Sequence, residues 1–220
     1  MPVAATERLK TNPQARERPS AASARLLKRA VDVAGAAIAM VVCAPVIGML
    51  ALLVKLQDGG PAIHRRRVVG LAGEFDAFKL RSMRVDADAI LQRDAKLREE
   101  FESNFKLKDD PRVTRVGAFL RRSSLDELPQ LWNVLTGQMS LVGPRMITRA
   151  ELDKFGEAAW IFTRMKPGLT GYWQVSGAAN ATYEQRVAME VHYVENWSLL
   201  VDLKILAMTP ARVIRGPRAG

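Results

Sequence analysis

Residues 33–54 read VAGAAIAMVVCAPVIGMLALLV, a run of 22 residues without one charged side chain. A helix of about 20 apolar residues crosses a bilayer's hydrocarbon core, so length alone predicts a transmembrane span. Two features predict otherwise. Pro45 lies near the middle of the run, where proline removes a backbone hydrogen bond and clashes with the preceding turn, at a cost of about 3 kcal/mol. Arg25, Lys28 and Arg29 precede the run, and Lys55 and His64-Arg65-Arg66-Arg67 follow it. With both flanks basic, a straight span breaks the positive-inside rule at one end. A helix that enters, turns at Ala44-Pro45 and returns breaks it at neither. Each arm is then about 12 residues, or about 18 Å, which reaches into one leaflet without crossing. The favoured expectation is a re-entrant hairpin over residues 25–57, broken near Pro45, with the straight span as its alternative.

The 220 residues are enough for one domain with a real core and few for two. With 33 Lys plus Arg against 23 Asp plus Glu, the formal charge of +10 suits an anionic partner: nucleic acid, acidic lipid or a phosphorylated substrate. Cys43 is the single cysteine, which excludes an internal disulfide and a cysteine metal cluster, and two histidines leave little room for zinc. Residues 1–24 lack apolar periodicity and read as a disordered arm. A cleaved signal peptide fits poorly, because about thirty residues precede the apolar run.

Beyond the turn signal DGGP at 58–61, residues 58–220 read as a small α+β domain, mainly helical. AIHRRRVV and EFDAFKL are predicted strands joined by a turn at Gly70–Gly73, and Asp86 to about Phe105 is a predicted surface helix. A helix is expected from about Tyr183 to Asn196, after a loop-rich stretch around GEAAWIFTRMKPGLTGYWQVSG. The tail SLLVDLKILAMTPARVIRG is amphipathic, either a core helix or one lying on a membrane; beside an apolar anchor the interfacial reading gains.

Within RRSSLDELPQLW, residues 121–132, Asp126 and Glu127 are adjacent. Ser124-Leu125-Asp126-Glu127 matches a capping box, the plain structural explanation. Pro129 opposes that register, since it would be the fifth helical residue and lack a hydrogen bond it should make. If the helix instead starts near Leu128 or Pro129, proline takes its favoured first-turn place. The acids then lie at the helix's positive end, where carboxylates stay ionised and phosphate is attracted. Locally, cap and site both remain open. Lys79, Arg81, Arg112, Arg121, Arg122 and Arg145 are candidate phosphate-binding cations. One or two carboxylates with substrate phosphates is the usual way to hold Mg²⁺. No P-loop, GxGxxG or HExxH string is present.

Five blocks in order carry a resemblance: KRAVDVAGAAIAM…CAP, GEFDAFKLRSM, DPRVTRVGAFLRRSSLDELPQLWNVLTGQMSLVGPR, MKPGLTGYWQVSG and YVENWSLLVDLKIL. Over about residues 28–215 the chain resembles the bacterial sugar transferases, the monotopic polyprenyl-phosphate phosphoglycosyl transferases, in their compact form. The resemblance implies a re-entrant membrane helix, a small cytosolic catalytic domain with short strands and interfacial amphipathic helices, and a place at the cytoplasmic face of the bacterial inner membrane. It implies transfer of a sugar phosphate from a UDP-sugar to polyprenyl (undecaprenyl) phosphate with release of UMP, an early membrane step in exopolysaccharide or other glycoconjugate synthesis. Asp126 matches the family's nucleophile, forming a phosphosugar-aspartyl intermediate, and Glu127 completes the dyad; both would place Mg²⁺. Lys79, Arg81 in KLRSM, Arg112 in DPRVT and Arg145 in VGPR become substrate- or phosphate-binding candidates. Membrane lipid and a second copy of the chain are the further expected partners. Three positions depart from the family pattern: Arg66, within HRR where Tyr-Arg-Gln is usual; Met146, where proline usually follows VGPR; and Ala178, where arginine usually follows SG. The transferred sugar is not legible.

Two other classes compete. As a DNA reader, VGAFLRRSSLDELPQLWNVLTGQMSLV would be a helix-turn-helix, but its recognition helix would be poor in base-reading side chains and would run into Gly143-Pro144. No nucleic-acid partner is therefore expected. A membrane-anchored glycosyltransferase would release UDP instead of UMP.

Overall fold

The computed structural model describes residues 21–104, 107, 109–176 and 181–215. Residues 1–20 of the expected N-terminal arm, and Ala178, lie outside the described residues. The architecture is mostly helical, with one long apolar helix and two small sheets.

Helix α1 spans Ala21–Asp58, 38 residues, and continues through Pro45. The expected break there is not present. Proline deletes only its own N–H from the ladder, and neighbouring i→i+4 bonds can carry the helix onward. Ile38, Val41, Val42, Met49, Leu52, Leu53 and Leu56 are all exposed. Only 11% of the apolar window is buried, which separates α1 from the core helix of a soluble protein. The helix is long and apolar enough to cross a membrane.

Polar side chains tie both ends of α1 to the same body. Near the start, Lys28 Nζ donates to Val142 O at 2.9 Å and to Asp202 Oδ2 at 2.6 Å. Asp32, 4% exposed, accepts from Ser140 Oγ and Leu141 N, each at 2.9 Å. At the far end, the Arg81 guanidinium grips the Asp58 carboxylate and donates to Pro61 O at 2.7 Å. Between these ends Ala36 packs into the main core, and Leu50 and Val54 pack with Leu80 and Leu120.

Strands β1 (Ile63–Gly70) and β2 (Gly73–Leu80) form the expected antiparallel hairpin, with His64 opposite Lys79. Gly73 closes it at φ 114°, a conformation that favours glycine. Val68, Phe75 and Ala77 face the core. The expected surface helix after Asp86 is two pieces, α2 (Ala87–Arg93) and α3 (Ala95–Asn104), because Asp94 is extended between them and its Oδ1 accepts from Lys96 N and Leu97 N. Helix α2 buries nothing, as a solvated face should.

Next come α4 (Arg115–Ser123), a 3₁₀ turn at Leu125–Glu127 and α5 (Gln130–Leu135). Strand β3 (Ser140–Val142) pairs in parallel with β4 (Gly168–Thr170). Where these strands lead into Gly143 the backbones touch: a Cβ on Gly143 or Gly168 would collide with the other segment's main chain. Between the strands lie α6 (Arg149–Phe155) and a 3₁₀ segment, Gly156–Thr163, with which the stretch expected to be loop-rich opens. Residues Tyr172–Val175 form α7, Tyr183–Glu195 α8 and Leu199–Arg215 α9. Helix α9 packs on the core through Asp202 and Ile205, as the core reading of the tail required, while Leu200, Leu203, Met208 and Val213 are exposed.

Candidate active site

The acid pair sits where the chain reverses between two short helices. Thr114 caps α4, its side chain accepting from Gly117 N at 2.9 Å. The helix ends at Ser124, φ 55° and ψ 17°, the one non-glycine residue with positive φ among the described residues. A serine in that region costs about 1 kcal/mol, and the reversal delivers the 3₁₀ turn of Leu125-Asp126-Glu127. Leu125 packs with Leu50, Val54 and Leu120, while Leu128 packs with the main core. These two leucines hold the turn from either side.

The capping box does not form. Ser124 makes no side-chain cap bond, and Pro129 stands just before Gln130, the first residue of α5. Proline therefore opens the second helix, as the favoured register required. Asn133 then registers α5 against the hairpin: its Oδ1 accepts from Phe78 N at 3.0 Å and its Nδ2 donates to Asp76 O at 2.8 Å. That side chain completes the edge of β2 and brings Lys79 to the acid pair, where its Nζ donates to Glu127 Oε1 at 2.6 Å.

The two carboxylates differ. Asp126 is 8% exposed, and burial raises its pKa to about 6, with Lys79 and Arg121 pulling downward and Glu127 upward. Placement before a helix was expected to keep this group fully ionised. Desolvation opposes that favourable field and outweighs it, so the group lies above the usual carboxylate range. Burial also pushes Glu127 upward, but Lys79, Arg145 and Arg66 together hold it below the usual carboxylate range. The surrounding field is positive: burial, Arg66 and Lys79 also lower the pKa of His64.

Five of the six sequence-predicted cations separate into two groups, and the sixth, Arg122, is exposed in the last turn of α4. Lys79 is bonded to the pair, and Arg121 and Arg145 act on it electrostatically. Arg121 Nε donates to Ser82 Oγ at 2.9 Å. Arg81 and Arg112 are buried and already engaged, Arg81 by Asp58 and Arg112 by Asp110 at 2.8 Å through two nitrogens. The Arg112 guanidinium also lies 4.8 Å over the Phe101 ring. The fold thus uses these two arginines as braces and does not present them to the acids. Arg66, read from the sequence as a flanking charge and a departure from the family pattern, is a further cation near the pair. It reaches Glu151 at 3.3 Å and contributes to the field on Glu127. Thr148 and Glu151 form a capping box that starts α6; this T-x-x-E string was readable and marks where Arg66 finds its partner.

Among the described residues no group of three or more His, Cys, Asp or Glu side chains could hold a metal by itself. Asp126 and Glu127 are hard oxygen donors, two in number, which is the donor set Mg²⁺ accepts when substrate phosphates complete its shell.

Comparison with known proteins accounts for nearly the whole chain. Residues 23–216 match the family model described as bacterial sugar transferase. An uncharacterized sugar transferase of Haemophilus influenzae is 46% identical over 192 residues, 85% of this chain and 41% of that protein. The exopolysaccharide production protein ExoY of Sinorhizobium fredii is 45% identical over 187 residues, 83% of each chain. The undecaprenyl-phosphate galactose phosphotransferase of Salmonella typhimurium is 44% identical over 199 residues, 88% of this chain and 41% of its own length. The chain thus spans less than half of two of these relatives and most of the third.

Proposed function

This chain belongs to the bacterial sugar transferase family, and from that premise we propose that it transfers a sugar 1-phosphate from a UDP-sugar to undecaprenyl phosphate at the cytoplasmic face of the inner membrane. The observation that carries the reading is the acid pair: a buried, mostly ionised Asp126 beside a Glu127 held by Lys79.

The Asp126 carboxylate attacks the phosphorus that bears the sugar. The bond from that phosphorus to the bridging oxygen breaks, and UMP departs with the electron pair. A phosphosugar-aspartyl ester remains. A phosphate oxygen of the polyprenyl acceptor then attacks the same phosphorus, forming the polyprenyl diphosphate sugar and freeing Asp126. Two displacements replace one difficult transfer. Burial serves this step, because a desolvated carboxylate is a stronger nucleophile than a hydrated one, and a pKa near 6 keeps it ionised at neutral pH. Lys79, Arg145 and Arg66 offset the repulsion between an anionic nucleophile and a diphosphate. Asp126 and the Glu127 oxygen outside the Lys79 pair fit Mg²⁺ by donor type, and the bound ion would screen phosphate charge.

The same reading gives α1 a re-entrant path that bends at Pro45 without ending the helix, as proline can kink a helix whose ladder continues. Lys28 and Asp32 near one end and Asp58 at the other bond to a single body, which supports both ends lying on the same side of the membrane with the exposed segment around Val41–Met49 immersed.

The test is nucleotide release by purified protein with Mg²⁺, undecaprenyl phosphate and a panel of UDP-sugars including UDP-galactose and UDP-glucose. UMP is expected; UDP would indicate ordinary glycosyl transfer and overturn the proposal. Full activity in EDTA would remove the metal. For topology, Ala24→Cys and Gln57→Cys in a Cys43→Ser background should both be labelled only from the cytoplasm, and an externally labelled Ala24→Cys would mean a spanning helix.

A further inference from the structure

A second polar cluster lies beside the loop that carries Arg145, and it is unsatisfied. Glu190 of α8 is 1% exposed; its Oε1 accepts from Arg145 N at 3.0 Å, while its Oε2 has no partner among the described residues. One turn earlier on the same helix, Arg186 Nε and Nη2 are buried without partners. The Arg186 guanidinium lies 5.6 Å over the Trp173 ring and 4.9 Å over the Tyr183 ring. On α7, Trp173 Nε1 and Gln174 Oε1 are likewise unpaired, and Gln174 Oε1 lies next to Gly171, where that glycine packs on Gly143. Four neighbouring residues therefore hold donors and acceptors sealed from bulk water and without hydrogen bonds. Each such group is costly to bury, so their gathering around one loop calls for a guest that pairs with them.

The composition of the cluster selects the guest. A phosphate would pair with the Arg186 and Trp173 donors but leave Glu190 Oε2 and Gln174 Oε1, both acceptors, unpaired. A polyprenyl chain would leave every polar atom unpaired. A neutral ring with adjacent hydroxyls fits: each hydroxyl donates and accepts, so it can serve the Arg186 and Trp173 donors as well as the Glu190 and Gln174 acceptors. Arg145 links this cluster to the acid pair, since it acts on Glu127 on one side and on Glu190 and Arg186 on the other. A guest here would lie beside Arg145, whose charge also acts on Glu127. Resting on the UDP-sugar reading above, we propose that Trp173, Gln174, Arg186 and Glu190 form a diol-binding subsite for the donor, Glu190 holding two vicinal hydroxyls of its hexose or of its ribose. Burial raises the pKa of Glu190 to about 7 against the pull of Arg145 and Arg186, so its own surroundings leave the carboxylate incompletely matched.

The test compares binding of UDP-galactose, UDP-glucose, UDP and 2′-deoxy-UDP to full-length wild type, Glu190→Gln and Trp173→Phe by calorimetry. Glu190→Gln keeps the acceptor for Arg145 N–H; Trp173→Phe removes only the indole N–H and keeps an aromatic face. Thermal melts establish that each variant is folded, and the second variant carries the test if the first is not. Loss of a charged hydrogen bond should weaken UDP-sugar binding about tenfold or more in Glu190→Gln. If UDP binds the variants normally while the galactose-to-glucose preference changes, the diol is the hexose's. If UDP weakens in parallel while 2′-deoxy-UDP binds wild type and variant alike, it is the ribose's. Folded variants that bind all four ligands within twofold of wild type, with an unaltered sugar preference, overturn the subsite. UMP release by wild type is read separately, so failure of the reaction class and failure of the subsite give different results.

Discussion

Lys79 and Arg81 lie two residues apart at the end of the same strand, and the fold gives them opposite work. Lys79 bonds Glu127, whose neighbour Asp126 is buried and titrates near 6. Arg81 grips Asp58, four residues beyond the apolar run, and through that hydrogen bond Asp58 falls to a pKa of about 2. One cation pairs with the neighbour of a carboxylate that burial leaves poorly solvated; the other locks a carboxylate as a brace for the long apolar helix. The difference teaches that a cation's residue type does not set its role. What sets it is whether burial leaves the nearby acid poorly solvated, as at Asp126, or hydrogen bonds leave it fully matched, as at Asp58.

Replacing Asp126 by Asn breaks the comparison most severely. UMP release should fall at least about a thousandfold, while thermal or denaturant unfolding should show a gain in stability. Asp126 has a folded pKa above its ordinary value, so its ionisation opposes folding. That penalty sets in as pH rises from about 4 to 6 and is fully present at pH 7, at about 2–3 kcal/mol for a shift of this size. A less stable Asp126→Asn protein would mean the carboxylate is matched, not strained.

Lys79→Met attacks the same site from the other side. Glu127 loses its partner, and unfolding should register about 2–3 kcal/mol of destabilisation. Lys79 is also the largest influence lowering Asp126. The acidic limb of the rate–pH profile, expected near pH 6 in wild type because only ionised Asp126 attacks, should therefore move upward in the variant. An unmoved limb would separate Lys79 from the nucleophile.

Arg81→Ala should cost stability of a similar size, about 2–3 kcal/mol, yet leave UMP formation per folded molecule within about threefold. A collapse of activity in fully folded protein would return Arg81 to the substrate site. Because Asp58 has a depressed pKa, its stabilising contribution is complete above about pH 4 and lost as pH falls toward 2. The smallest effect belongs to Ser124→Gly, which relieves the left-handed backbone beside the acids and should add about 0.5–1 kcal/mol.

Much of this arrangement was legible locally. The β-hairpin, the α8 region and the membrane-grade helix follow from period, turn residues and composition, and the displacement of the helix start by Pro129 follows from a missing N–H. The acid pair stood out because two carboxylates between arginines and a proline have few structural uses. Less legible were the interruption at Asp94, where a side chain competes with the helix for backbone amides, and the persistence of α1 through Pro45, where one lost bond is outweighed by its neighbours. The helix at Arg149–Phe155 was announced by Thr148 and Glu151 but masked by the surrounding loop signals.

The sequence by itself determined most of the elements, the long apolar helix and the candidate acid pair, because these depend on residues close together along the chain. Only the tertiary structure decided which charges meet. KRAVD and YVENWSLLVD are separate strings until Lys28 bonds Asp202, which also accepts from Tyr193 and Trp197; Lys79 and Arg81 are alike until one reaches Glu127 and the other Asp58. Pairing energies and pKa values depend on distance and burial in space. Those are set by how α1, the hairpin and the short helices pack, and no local reading of the chain contains them.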